Sequence, residues 1–327
     1  MASEDAADTA DVDLDLLRSS AREFLSERGE KDSVEELAQL DWTGLLVDEQ
    51  FGGAGWLPLE TVVIAEELGR AADRSPWFGT TMAAAALTSA PADIRERWLP
   101  AVLGGTVAAG VALAGDTVRV TNADVVSILV TLGSNGVQLF ELSDTTSRSR
   151  DDELLDVSRP AWRVELAGSE GVPVGGADRA DTLLAVARLL LSADSLGTVA
   201  TTFERLVAYL KERVAFGAPI ASFQAVQHRL VEVLVLETKA RAVIMKAARS
   251  LVSHEASGDA LALSAAAHAF VTAHATAAVD ECMQLSGGIG FTWEYPLHHE
   301  LRRVFTNGHL LGTARSSRSA YAQKVGW

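Results

Sequence analysis

The stretch from 177 to 285 constrains the fold more than any other. It is dominated by alanine, leucine and valine, and it breaks only around Gly217 and Pro219 and again at Gly258. Alanine and leucine propagate a helix at little cost, whereas an internal glycine or proline costs about 1 or about 3 kcal/mol. The run therefore predicts three long helices. The first spans 177 to about 213. The second starts near 224 and is stopped by Gly258. The third runs from about 260 to 285, where GGIG at 287–290 ends it. A shorter helix is expected over about 296–307, and a helical tail after Thr313. Such helices bury their apolar stripes only against one another, so 177–327 is expected to form a four-helix bundle.

The N-terminal part is helical as well. Leu14, Leu17, Ala21, Phe24 and Leu25 recur at three- and four-residue spacing and form one apolar stripe. Residues 1–12 are acidic and are read as a disordered tail. LLVDEQFGGAG at 45–55 is a break, because three glycines in four positions do not propagate a helix. Helices are predicted over 59–71, over 80–87, and from Asp93 through Ile94, Trp98 and Leu99 to about Gly104. Between 107 and 176 the character changes. The β-branched runs TVRVT (117–121), VVSILVT (125–131) and VQLFEL (137–142), with alternating WRVEL (162–166), predict strands, and polar 143–152 a loop. The fold class is mostly α with a small β domain: an N-terminal helical domain (13–106), a middle β domain (107–176) and the C-terminal bundle.

A chain of 327 residues suits two or three packed domains. The net charge of −16 argues against nucleic acid as a partner, since phosphate binding draws on clustered Lys and Arg. The single cysteine, Cys282, excludes an internal disulfide and suits a reducing cytoplasm. It lies in an apolar helical run and is read as a buried structural thiol. No segment approaches the ~18–20 consecutive apolar residues of a membrane span, and the acidic start lacks a signal-peptide pattern. His298 and His299 are expected to point different ways on a helix, and His268 and His274 do not share a face, so no metal site is expected.

Three runs carry chemistry. RVAFGAPIASFQ at 213–224 places Arg213, an always-charged fork suited to phosphate oxygens, beside Phe216, Phe223 and Gln224. QLSGGIGFTWEYP at 284–296 offers Gln284, which donates and accepts, and Gly287 and Gly288, which let a ligand approach the backbone. The alternatives are ordinary ones. Arg213 could be a solvated helix-end arginine, Phe216 a core residue, and GGIG a C-cap. Trp293 and Tyr295 read as core, and Glu294 as structural. The third run is LLVDEQFGGAG followed by AEELGR at 65–70.

In this order and spacing, the three runs resemble the acyl-CoA dehydrogenase family over roughly residues 14 to 312. The resemblance implies the family's helical, β and four-helix layout, with a reduced β domain. It also implies FAD as cofactor. Counterparts of Arg213, Phe216, Phe223, Gln224, Gln284, Gly287 and Gly288 would hold its ADP part across a subunit interface.

The family removes a proton beside a thioester carbonyl with a carboxylate, often in a Tyr-Glu-Gly-Thr turn. Here that turn reads HLLGT at 309–313, with Leu311 in the place of the base. A second place for the base, read as the α-helical turn VIMKA at 243–247, holds Met245 and Lys246 and no carboxylate. The loop that lies under the flavin ring in relatives is also missing. The resemblance then implies no catalytic residue in this chain, and a related partner subunit carrying the glutamate in an α2β2 assembly acting on an acyl-CoA, with a steroid side chain as a candidate. The alternatives are a competent homo-oligomer with a relocated base at Glu237, at Glu255 or in the β domain, and a flavin-free interaction scaffold.

Overall fold

A computed structural model describes residues 2–327 except Glu30, Asp144, Leu154 and Glu294, and it leaves the side chains of 2–12 undescribed. The reading of Glu294 therefore lies outside the described residues. The N-terminal region contains α1 (Ala2–Arg28), α2 (Glu35–Ala38), α3 (Pro58–Arg70), α4 (Trp77–Leu87) and α5 (Ala92–Leu103). The expected tail at 1–12 is instead backbone of α1 from Ala2 onward. Alanine there favours helix. The glycine-rich break folds into β1 (Leu46–Val47) and β2 (Gly55–Trp56), which pair antiparallel.

The middle region makes two small sheets from β3 (Ala109–Leu113), β4 (Thr117–Thr121), β5 (Ile128–Gly133), β6 (Gly136–Glu141), β7 (Arg148–Arg150), β8 (Ala161–Glu165) and β9 (Val172–Gly175). One sheet has the order β3-β5-β6-β9 and the other β4-β8-β7. β4 leaves for the second sheet, so β3 meets β5 in parallel, with Val111 opposite Val130. Ala112, Val118, Val120, Val126, Leu129 and Val164 pack together as their shared core. The strand expected from 125 begins only at Ile128, because Asn122, at φ 57°, opens a turn in which the Val125 N–H bonds to the Asn122 carbonyl at 3.0 Å. β7 lies in the stretch read as a loop. Its Arg-Ser-Arg has no apolar alternation and is held by pairing to β8.

The C-terminal region is α6 (Ala177–Glu212), a hairpin of β10 (Val214–Ala215) and β11 (Ala218–Pro219), α7 (Gln224–Ser250), α8 (Gly258–Ser286), α9 (Leu297–Leu310) and α10 (Ala314–Lys324). Gly258 does not end α7; it begins α8, where the Ser257 hydroxyl caps the Ala260 N–H. α7 stops earlier because residues 251–257 dock on the N-terminal region. The Trp56 indole donates to the Leu251 carbonyl at 2.9 Å, and the His254 ring meets Asp48 at 2.9 Å.

α6 is the axis of the molecule, with α3 on one side and α8 on another. A Cβ on Gly69 would overlap the Asp194 carbonyl, and one on Gly197 the Glu66 carbonyl, so α3 and α6 cross with their backbones in contact. In length and mean hydropathy α6 and the 258–291 stretch are such as a membrane span would also have, though neither holds an unbroken apolar run of that length. In α6 the apolar window is 89% buried against the rest of the protein.

Charged groups brace this core. Glu67 accepts two 2.8 Å bonds from Arg22, and Glu66 accepts one of 2.6 Å from Arg241. Deeper still, Arg303 of α9 grips Asp194 of α6 with bonds of 2.9 and 2.6 Å and reaches the Asp73 carbonyl at 2.8 Å. Asn307 and Arg159 complete the shell around Asp194 at 2.6 and 3.4 Å. Burial alone would raise the Asp194 carboxyl; Arg159, Arg303 and the Asn307 amide outweigh it and hold it below the ordinary carboxylate range.

Candidate functional site

The ends of three long helices meet at one end of the bundle. Arg229, early in α7, bonds to Glu281, late in α8, at 2.6 Å. Tyr209, late in α6, sits 6.2 Å from Tyr295, just before α9. Arg205 of α6 pairs with Glu300 of α9. All seven residues expected to contact the cofactor lie at this end, and all of them face outward.

Arg213 terminates α6. Its backbone turns extended at φ −73° and ψ 117°, and its N–H still bonds to the Tyr209 carbonyl. The guanidinium has no hydrogen-bond or ion-pair partner among the described residues. The hairpin then turns through Phe216 at φ 53° and Gly217 at φ 83°. Two successive positive φ angles suit a type I′ turn, which usually takes Asn-Gly. A phenylalanine there is strained, yet its ring is 97% exposed, so it is not the core residue that one reading allowed. Its one ring neighbour is Phe223, 6.4 Å away and edge-on at 86°. Gln224 follows at the exposed start of α7, where the first N–H groups of a helix are free to meet an anion.

Gln284 is exposed in the last turn of α8, with no internal partner among the described residues. Gly287 adopts φ 65° and ψ −147°, a region only glycine enters without strain. A Cβ on Gly287 or Gly288 would meet nothing within 4 Å, so the space over this backbone is open to a second molecule. Phe291 and Trp293 beyond it are also outward. Trp293 is 73% exposed and carries Arg302 over its ring, contrary to its reading as core. Tyr295 does turn inward, and burial raises its phenol above the usual range. The structure brings Phe216 and Phe223 into contact; no contact joins them to the glycine turn.

Among the described residues, the two places where the family's base was expected hold no carboxylate. Leu311 is fully buried at the C-cap of α9, its carbonyl taking a 3.0 Å bond from Arg188 Nε. Met245 packs against the core and Lys246 faces solvent. Glu237 is bound to Arg241 at 3.1 Å, and Glu255 is exposed on the loop after α7. Cys282 is buried, which pushes its thiol up to about 12. The His298 and His299 rings lie 3.9 Å apart rather than pointing different ways. No group of three metal-capable side chains occurs among the described residues. Sequence reasoning missed Arg188 and Asp194; a lone charge inside an otherwise apolar helix was the available signal for each.

The outward face of this bundle end carries one guanidinium without a partner among the described residues, two aromatic edges, a helix start and an open glycine backbone. Comparison with known proteins agrees on family. The acyl-CoA dehydrogenase C-terminal domain matches residues 175–326, and the acyl-CoA dehydrogenase N-terminal domain matches residues 13–106. Acyl-CoA dehydrogenase IpdE2 of Mycobacterium tuberculosis is 32% identical over 293 residues, covering 89% of this chain and 86% of that one. Among solved structures, the Tcur3481-Tcur3483 steroid ACAD (G363A variant) superposes with a TM-score of 0.81 at 23% identity, over 96% of this chain and 98% of that chain. The ChsE4-ChsE5 complex of Mycobacterium tuberculosis superposes at 0.78 and 20% identity, over 96% and 95%.

Proposed function

This chain belongs to the acyl-CoA dehydrogenase family, and from that membership we propose that it is the non-catalytic subunit of a FAD-dependent acyl-CoA dehydrogenase assembly. In this reading it lends the ADP-side contacts of a FAD site to a related partner subunit in an α2β2 assembly. The partner supplies the glutamate and the flavin-ring pocket.

One observation carries the reading. Arg213 has no internal partner among the described residues and stands beside the 97%-exposed, strained Phe216 at the bundle end, while the place of the base holds a buried leucine. A cation, an aromatic ring and an open glycine backbone facing outward make half of a site.

When bound, FAD accepts the hydride that leaves the acyl chain. The residues of this chain position it. Arg213 would meet the pyrophosphate, Gly287 and Gly288 would let the nucleotide approach the backbone, and Phe216 and Phe223 would pack on planar surface. Gln284 and Gln224 would satisfy polar edges. None of them moves a proton. Two of the superposable structures are named as pairs of chains, and one is named a steroid ACAD. They support a partner of the same fold and a steroid-derived acyl-CoA as the substrate class.

The test is FAD content. Expressed alone, the chain is expected to be inactive and to retain little flavin. Co-expressed with a partner that carries the glutamate, it is expected to yield a yellow, active assembly. Full FAD occupancy with activity in the isolated chain would overturn the reading.

A further inference from the structure

A cleft of about 390 Å³ opens where the N-terminal, middle and C-terminal regions meet. Arg70 and Arg74 line it from the end of α3 and the turn after it, and Val157 and Ser158 from the loop before β8. Arg205 reaches it from α6, and Pro296 and His299 from the start of α9. None of the seven residues of the proposed half-site lines it. The end of α3 presents two arginines at once. Ala72 sits at φ 50°, and the Asp73 N–H bonds to the Leu68 carbonyl at 3.0 Å. That left-handed position after a helix usually takes glycine. Here an alanine holds the turn that puts Arg70 and Arg74 on one cleft.

Four arginines line the cleft against one carboxylate, Glu300. The carboxylates in and around it already have partners. Glu300 is buried and accepts from the Thr202 hydroxyl at 2.9 Å and from Arg205. Outside the lining, Glu204 pairs with Arg70, and Asp156 with Arg159 at 3.2 Å. The arginines keep donors in reserve. Arg303 is committed to Asp194, but Arg205 gives only Nη1 to Glu300, and Arg70 gives Nη2 to Glu204 with Nε 3.6 Å from Glu67. Arg205 Nε and Nη2 and Arg70 Nη1 have no hydrogen-bond partner among the described residues. His299 adds an Nδ1 that is buried and unpartnered among those residues. Burial, then the cationic neighbours His298, Arg302 and Arg74 against Asp156, hold its ring below the ordinary histidine range. Cations therefore prevail here, in a chain whose net charge is −16. α9 also begins at the cleft, and its N-cap Pro296 has no side-chain bond, so the positive end of the helix adds to the field.

We propose that this cleft binds a phosphomonoester, with its dianionic phosphate between Arg70, Arg74 and Arg205 and its organic group against Ala71, Val157 and Pro296. A tetrahedral dianion accepts from several directions at once, which suits arginines that converge from separate elements; a monocarboxylate is served by one fork. All three regions of the fold contribute to the lining, so the ligand holds them together and raises the melting temperature. The proposal does not rest on the flavin reading, since it uses none of the half-site residues.

Calorimetric titration of phenyl phosphate into the full chain, assembled with its partner where it requires one, tests this in a phosphate-free buffer. Phenyl phosphate is expected to bind, with inorganic phosphate weaker and benzoate about tenfold weaker or more. Arg205→Gln is expected to weaken it by about tenfold or more. Because Arg205 also holds Glu300, two further variants put an anion into the cleft at exposed positions: Ala71→Glu and Val157→Glu. Both are expected to remove binding while the circular dichroism spectrum is kept. Arg213→Ala, at the half-site, is expected to leave binding unchanged. No binding of phenyl phosphate, equal binding of benzoate or inorganic phosphate, binding indifferent to Ala71→Glu and Val157→Glu, or loss of binding in Arg213→Ala would each overturn the proposal.

Discussion

Two arginine-bearing regions of this molecule are built on opposite plans. Around Asp194, deep between α6 and α9, every charge is answered. Arg303 is 2% exposed and bonds to both carboxylate oxygens, with Asn307 and Arg159 closing the shell. At the bundle end, Arg213 has no partner among the described residues, and the aromatic beside it stands in solvent. Saturated polar groups fix a fold, because a buried charge left alone costs several kcal/mol. Unsaturated groups facing outward beside exposed aromatic rings are arranged for a second molecule. The first region fixes the fold; the second is the half-site proposed for a partner's cofactor.

The sharpest way to break this contrast is to remove Asp194. Asp194→Ala removes the carboxylate that Arg303 grips and leaves Arg159 with Asp156. It is expected to cost about 3–5 kcal/mol in chemical denaturation; a loss below about 1 kcal/mol would mean that the shell contributes little. The pH dependence follows from the same geometry. The Asp194 carboxyl is held below its unfolded value, so its contribution is present above the unfolded pKa of about 4 and is lost as pH falls through the folded value. The wild-type chain should therefore lose stability more steeply on the acid side of pH 4 than the Asp194→Ala variant.

Arg213→Ala tests the other plan. With no internal bond to lose, it is expected to shift stability by less than about 0.5 kcal/mol. The FAD affinity of the co-expressed assembly should fall by about tenfold or more, as for one charged hydrogen bond removed. Unchanged flavin content would sink the half-site and favour a scaffold without flavin. The same measurement on Gly287→Val adds backbone strain at a positive φ, so its stability loss must be recorded beside its flavin content.

His268 offers an intermediate case, an inward group only half answered. Its Nδ1 meets the Ser317 hydroxyl at 2.8 Å and Nε2 meets nothing. Burial, with some help from Arg188, lowers it to about 3. The unfolded chain therefore binds a proton below pH 6.5 that the folded chain refuses, and stability declines as pH falls from about 6.5 toward 3. Relative to His268→Gln, the wild-type chain should lose on the order of 1–2 kcal/mol between pH 7 and pH 5. Parallel stability curves for the two would show that the ring takes up its proton in the folded state.

Much of the fold was legible, for reasons tied to particular residues. The three long helices follow from alanine and leucine between glycine and proline punctuation. Gly258 misled, because a glycine between two apolar runs marks a break without saying which helix it belongs to. Only the docking of Trp56 and His254 decides that α7 ends at Ser250. β7 was invisible, since Arg-Ser-Arg becomes a strand only when β8 pairs with it. The proposed site residues were chosen by type and spacing. Their exposure was not legible, and exposure is what turns Phe216 and Trp293 from core candidates into outward groups.

Phe216 gives the smallest and most discriminating expectation. A bulky residue at φ 53° carries strain of about 1–3 kcal/mol, and its exposed ring returns little packing. Glycine relieves that strain and loses about 0.5–1 kcal/mol through greater freedom in the unfolded chain. Phe216→Gly should therefore leave the isolated chain as stable as before or more stable by up to about 1 kcal/mol, while flavin retention by the assembly declines. A strained residue with little packing to support it fits the contact outside the chain that the half-site proposal gives it. If Phe216→Gly lowers the stability of the isolated chain by more than about 1 kcal/mol, the ring supports the hairpin after all, and the bundle end loses its clearest outward group.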